Sequence, residues 1–114
     1  MDRIVNIPDS IKEYVEYIAQ SIKDAMPVTA IYLFGSYAKG NFRENSDLDI
    51  YVVTPDRSRH VLDWCHDASS SYEEIMRIPV EIVINYKEDF EQRSKWINSV
   101  EREVIDTGVL IYAV

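Results

Sequence analysis

Asp47-Leu48-Asp49 is the first place in this chain where residue type and spacing promise chemistry. Aspartate is depleted in strands, yet this pair sits at i and i+2 in the otherwise apolar run from Asp47 to Val53. Extended backbone projects both side chains from one face, roughly 6.5–7 Å apart at the main chain. Carboxylates so placed can lean over one divalent cation, or bridge two that stand ~3.5–4 Å apart. Their hard oxygens suit Mg²⁺ or Mn²⁺ rather than zinc. A solvated strand start is the plainer reading, and the pair alone does not decide between them. Gly35-Ser36 closes another apolar run. Glycine permits a sharp turn that brings backbone close to a ligand, and a helical turn beginning at Ser36 would offer free N–H groups and a hydroxyl to a phosphate. An ordinary strand-to-helix turn with a serine N-cap fits equally. Glu81 lies inside Val80-Glu81-Ile82-Val83-Ile84. It either marks the exposed face of an edge strand or supplies a third acid to the cluster. Two bare carboxylates ~5 Å apart repel by about 3 kcal/mol at an effective dielectric near 20. Such a cluster is expensive as scaffolding in a domain worth only ~6–17 kcal/mol, and a bound cation would offset the repulsion.

Periodicity supplies the elements that must position these groups. Ile11, Tyr14, Val15, Ile18, Ile22, Ala25 and Met26 recur at helical spacing, Ser10 with Glu13 can form a capping box, and Pro27 ends the helix. Ala30 to Phe34 is a β-prone run stopped by Gly35, and residues 36–46 are polar and loop-like, with room for one helical turn after Ser36. From Asp47 to Val53, Leu48, Ile50 and Val52 face one way, and Asp47, Asp49 and Tyr51 the other. Thr54-Pro55-Asp56 breaks that strand. A helix from about Ser58 to Met76 follows, with Val61, Cys65, Ala68, Tyr72 and Ile75 or Met76 as its apolar stripe. Val80 to Ile84 is a third strand. The remainder reads as helical, with Trp96, Ile97, Val100 and Val104 inward until Gly108, and Val109 to Tyr112 adds an edge strand. Helices alternating with strands in so short a chain imply one small sheet covered by helices.

The 114 residues carry 12 Lys+Arg against 20 Asp+Glu, a net charge of −8. That length suits one domain across residues 1–114. Cys65 has no partner for a disulfide, and no apolar run approaches the ~20 residues of a membrane helix. No signal-peptide pattern opens the sequence, so a cytoplasmic protein is the default. The acidic balance argues against a strong nucleic-acid binder, which needs basic surface for phosphates. His60 and His66 stand six apart, so they diverge on a helix and do not make a zinc spacing. Cys65 is read as core filler, Tyr37 as packing, and Trp64 and Trp96 as core or partner-facing anchors. Glu73-Glu74, Glu88-Asp89 and Glu101 to Glu103 read as solvated helix faces.

Gly35-Ser36, ten residues, then Asp47-x-Asp49 resembles the signature of the DNA polymerase beta-like nucleotidyltransferase superfamily. Gly35-Ser36-Tyr37-Ala38-Lys39-Gly40 and Ser46-Asp47-Leu48-Asp49-Ile50 are similar to its small prokaryotic branch, the minimal nucleotidyltransferases. The likeness extends through Val80 to Ile84 and Gly108 to Tyr112. It implies an α+β nucleotidyltransferase fold, a small mixed β-sheet with helices packed on it. It implies that Gly35 and Ser36 hold the β/γ-phosphates of a nucleoside triphosphate, ATP above all, with Lys39 or Arg43 near the triphosphate. Asp47 and Asp49 would ligate Mg²⁺, two ions in all, and Glu81 stands where the family more often has Asp, as third acid and base. Transfer of a nucleoside monophosphate to a hydroxyl would follow. The resemblance further implies a helical HEPN-type partner protein that supplies the acceptor, with this chain as antitoxin of a toxin–antitoxin pair. The alternative is a non-catalytic module that neutralises a partner by contact.

Overall fold

The computed structural model of the chain describes residues 7–75 and 78–114. Its elements run α1 (Asp9–Ala25), β1 (Ala30–Phe34), α2 (Ser36–Lys39), β2 (Leu48–Thr54), α3 (Val61–Tyr72), a 3-10 turn (Glu73–Ile75), β3 (Val80–Tyr86), α4 (Lys87–Arg93), α5 (Val100–Thr107) and β4 (Val109–Ala113). The strands form one mixed sheet in the order β3-β2-β1-β4. β2 is parallel to β3, whereas β1 is antiparallel to both β2 and β4. No helix among the described residues is long and apolar enough to cross a membrane.

Two-residue alternation sends the strands' side chains into two cores. Ile31, Leu33, Leu48, Ile50, Val52 and Ile84 pack with Val15, Ile18 and Ile22 of α1 and with Trp64, Ala68 and Tyr72 of α3. On the opposite face Ala30, Phe34, Tyr51 and Val53 meet Phe90 of α4 and Val104 of α5. The alternation expected of β2 holds, with both faces covered. Tyr51 shares the face of Asp49 but is wholly buried. Its ring tilts against Phe90, with centroids 5.2 Å apart, and its hydroxyl donates to Glu101 Oε2 at 2.5 Å. Burial first, and this hydrogen bond second, hold the phenol proton far more tightly than in water.

Several expectations need correction. No capping box starts α1: Pro8 occupies the N-cap without a side-chain bond, and its carbonyl accepts from Ile11 and Lys12 N–H. Proline's fixed φ already presets the helical entry, so Ser10 falls inside the first turn. Ala25 is exposed, and Ala19 is buried instead. α3 starts later than Ser58. The Asp56 carboxylate accepts from Ser58 N–H and holds a turn, and His60 Nδ1 accepts from Leu62 N–H as the helix cap. Met76, one of two residues offered to end the stripe, lies outside the described residues, as does the side chain of the other, Ile75.

The C-terminal stretch is two helices rather than one. Asn98 adopts φ 72°, and Ser99 caps α5 by accepting from Arg102 N–H. This corner turns Trp96, Ile97 and Val100 outward, with Ile97 84% exposed, and leaves Val104 as the one expected residue that is buried. Arg93 instead lies over the Trp96 ring. Glu101 was expected on a solvated face but is buried against Tyr51. Removing the phenol would strand a buried carboxylate, which costs about 1–3 kcal/mol. Tyr51→Phe is therefore expected to lower the unfolding free energy by that amount, read from urea denaturation. In Glu101→Leu, which has no stranded carboxylate, the same change should cost clearly less.

Candidate active site

The carboxyl end of β1, the start of β2 and the start of β3 lie side by side, and each carries one part of the site. In the parallel β2–β3 ladder Asp49 is the register partner of Glu81, while Phe34 at the end of β1 pairs with Asp49 from the other side. This register answers the question that the sequence leaves open about Glu81. Its side chain is exposed, yet it also joins Asp49, whose carboxyl is within hydrogen-bonding reach of it. Asp47 sits one residue before β2 and acts on Asp49 through its charge. The loop leading there is pinned by Arg43 N–H donating to Ser46 Oγ at 2.7 Å, and Leu48 N–H extends the ladder to the Pro79 carbonyl at 2.9 Å.

Gly35 is required twice over. Its φ of 76° with ψ of −152° is a backbone state that essentially only glycine adopts. A Cβ at this position would also collide with the Asp49 carboxylate and stand 2.9 Å from its Cγ. The turn thus lies directly against the acid. α2 follows at once, anchored by buried Tyr37 and Ala38, with Tyr37 stacked on Phe42 at 4.5 Å between centroids. Tyr37 is a packing residue, as expected. Gly40 ends α2 in the left-handed conformation. The first N–H groups of this turn have no intrahelical carbonyl to bond, so the turn presents donors beside the acids.

Partial burial is the largest cause that raises the Asp49 pKa, to about 6, and Glu81 adds charge repulsion and a hydrogen bond. The protonated Asp49 hydroxyl donates to the Glu81 carboxylate in that bond. Asp47 and Glu103 contribute smaller repulsions. Glu103 is the residue that sequence reasoning missed, having placed it on a solvated face. It reaches the site from α5 and pairs with Lys39 Nζ at 3.8 Å. Nothing in local sequence marks it, because its place depends on how α5 crosses the sheet. Arg43 is exposed in the loop, His60 is exposed at the cap of α3, and His66 is exposed on that helix.

The donor set suits a hard divalent cation: carboxylate oxygens only, crowded enough to repel one another. Asp49 and Glu81 are the pair that could hold it, with Asp47 alongside. As placed, the three do not form a closed ligand group, and no group of three His, Cys, Asp or Glu side chains does so among the described residues.

Two predictions come from this geometry. Gly35→Ala should destabilise the fold by at least about 2 kcal/mol through backbone strain and collision, with part of the loss recovered in Asp49→Ala, as read by denaturant unfolding. The second concerns pH. Because the folded-state pKa of Asp49 is raised, its proton contributes stability fully below the ordinary value near 3.8, and that stability is lost as pH rises through about 6. In chelator, Asp49→Asn should melt close to the parent at pH 4 and above it at pH 7, the gap widening from pH 4 and complete just above pH 6.

Comparison with known proteins agrees with the fold. MJ0604 of Methanocaldococcus jannaschii, provisionally named a protein adenylyltransferase, is 29% identical over 108 residues, covering 95% of this chain and all of its own. Protein adenylyltransferase MntA of Shewanella oneidensis is 40% identical over 48 residues, 41% of this chain and 34% of MntA. A provisionally assigned nucleotidyltransferase from Sulfolobus solfataricus shares the fold over 99% of this chain and 89% of its own, with a TM-score of 0.63 at 16% identity. A crystal structure of a variant MntA–HpeT toxin–antitoxin pair aligns over 86% of this chain and 71% of that one, with a TM-score of 0.57 at 25% identity. The family described as "Polymerase beta, Nucleotidyltransferase" matches residues 16–113. The chain belongs to that nucleotidyltransferase family.

Proposed function

We propose that this nucleotidyltransferase moves AMP from ATP to a hydroxyl on a partner protein, as the antitoxin of a toxin whose fold is the helical HEPN type. The observation that carries the reading is the convergence of Asp49, Glu81 and the Gly35 turn at one end of the sheet. Likeness along the full length of MJ0604 supports protein adenylylation. The MntA–HpeT pair among the structural relatives supports a toxin partner.

Gly35 and Ser36 bring backbone donors to the β- and γ-phosphates, and Lys39 offers its ammonium to the same charge. Asp47, Asp49 and Glu81 would hold Mg²⁺, two ions in the family's arrangement. The metal supplies charge stabilisation to the attacking and leaving oxygens of an in-line displacement. Glu81, exposed at the mouth of the cluster, takes the proton of the acceptor hydroxyl. The hydroxyl oxygen bonds to the α-phosphorus, the bond from that phosphorus to the α,β-bridging oxygen breaks, and pyrophosphate leaves with the electron pair.

Incubation with α-labelled ATP, Mg²⁺ and the co-purifying partner should transfer label to that partner. Asp47→Ala, Asp49→Ala and Glu81→Gln should each reduce the rate by about 10²-fold or more, with partner binding retained. Absence of transfer by the parent, with binding intact in every variant, would overturn the enzymatic reading in favour of contact neutralisation. Thermal melting gives an independent check. Mg²⁺ should raise the melting temperature of the parent and do so less for Asp49→Asn.

A further inference from the structure

The Lys39–Glu103 pair joins the two elements that flank the acid cluster. Lys39 ends the short helix after the Gly35 turn, and Glu103 projects from α5, which packs across β1. Their charged atoms are 3.8 Å apart, with the side chains 42% and 40% exposed. No other ion pair among those of the described residues connects the Gly35–Gly40 segment to the rest of the fold. The carboxylate has no packing duty that would explain it: the α5 residues turned into the core are Glu101 and Val104. Glu103 also adds negative charge at Asp49, in a cluster that already holds more acids than its repulsion favours.

We propose that Glu103 is a positioning residue that occupies the Lys39 ammonium as a stand-in for phosphate, so that a nucleoside triphosphate must displace it to bind. This rests on the assignment of the Gly35 turn as a triphosphate site. A loosely held, half-exposed pair suits an exchangeable contact, because its strength is only a fraction of what a phosphate offers the same lysine. Only ligands whose phosphates reach Lys39 must break the pair, so it costs triphosphates more affinity than monophosphates. Once transfer is complete, return of Lys39 to Glu103 helps to release pyrophosphate. Glu103 thereby opposes nucleotide binding through Lys39 rather than by direct repulsion alone.

A double-mutant cycle on ATP affinity tests the idea, using the full chain, ATP and Mg²⁺ in equilibrium titrations. Glu103→Gln should tighten ATP binding roughly two- to fivefold, the range set by an exposed ion pair, and change AMP affinity less. In the Lys39→Met background the same substitution should have little effect. Melting temperatures of both single variants should stay near that of the parent, which separates positioning from a structural role. An equal gain from Glu103→Gln with or without Lys39 would assign the effect to plain repulsion and overturn the proposal. Unchanged or weakened binding in Glu103→Gln would also overturn it. Failure of the parent to bind ATP would instead remove the triphosphate site itself, and this inference with it.

Discussion

Parallel pairing of β2 with β3 is the constraint on which the site depends. It sets Asp49 level with Glu81, and a slip of one residue would send one carboxyl into the α1/α3 core. That outcome is closed off because Leu48, Ile50 and Val52 must enter this core while Tyr51 and Val53 enter the other. The apolar residues therefore choose the register, and the acids inherit it. Gly35 completes the arrangement from the neighbouring strand, since it alone leaves room for the Asp49 carboxylate. Like charge is thus held together by hydrophobic burial on two faces.

The site sits at the margin of the sheet, and this explains its electrostatics. Deeper burial would keep the carboxyls protonated and unable to ligate a cation, whereas full exposure would leave them ordinary. Asp49 lies between those limits, half-buried and titrating near 6. Glu81 beside it is open to solvent. One acid is partly embedded and its neighbour is accessible, the division of surroundings that the proposed holding and proton-transfer roles call for.

Much of this was legible in the sequence. A β-prone run located β1, period-two alternation located β2, and glycine after an apolar run marked the turn. Glu81 could not be assigned from local pattern, because an exposed edge charge and a cluster member look alike until the register is known. Its assignment to the family's third acid came through resemblance. The break between α4 and α5 was hidden for another reason. Trp96, Ile97, Val100 and Val104 repeat at helical spacing, but the Asn98-Ser99 corner interrupts the backbone and turns the first three outward. Glu101 and Glu103 were read alike as solvated, yet they point to different places because successive helical positions diverge by ~100°.

The bond between Tyr51 and Glu101 acts as a rivet between the acid-bearing strand and α5. Tyr51 stands two residues from Asp49, and Glu101 two from Glu103, so one buried contact fixes the spacing of groups on both sides of the cleft. The placement of Glu103 beside the acids therefore leans on a contact buried in the core. Sequence drift that loosens this joint would shift both sides of the acid cluster at once, without touching any of the three clustered carboxylates.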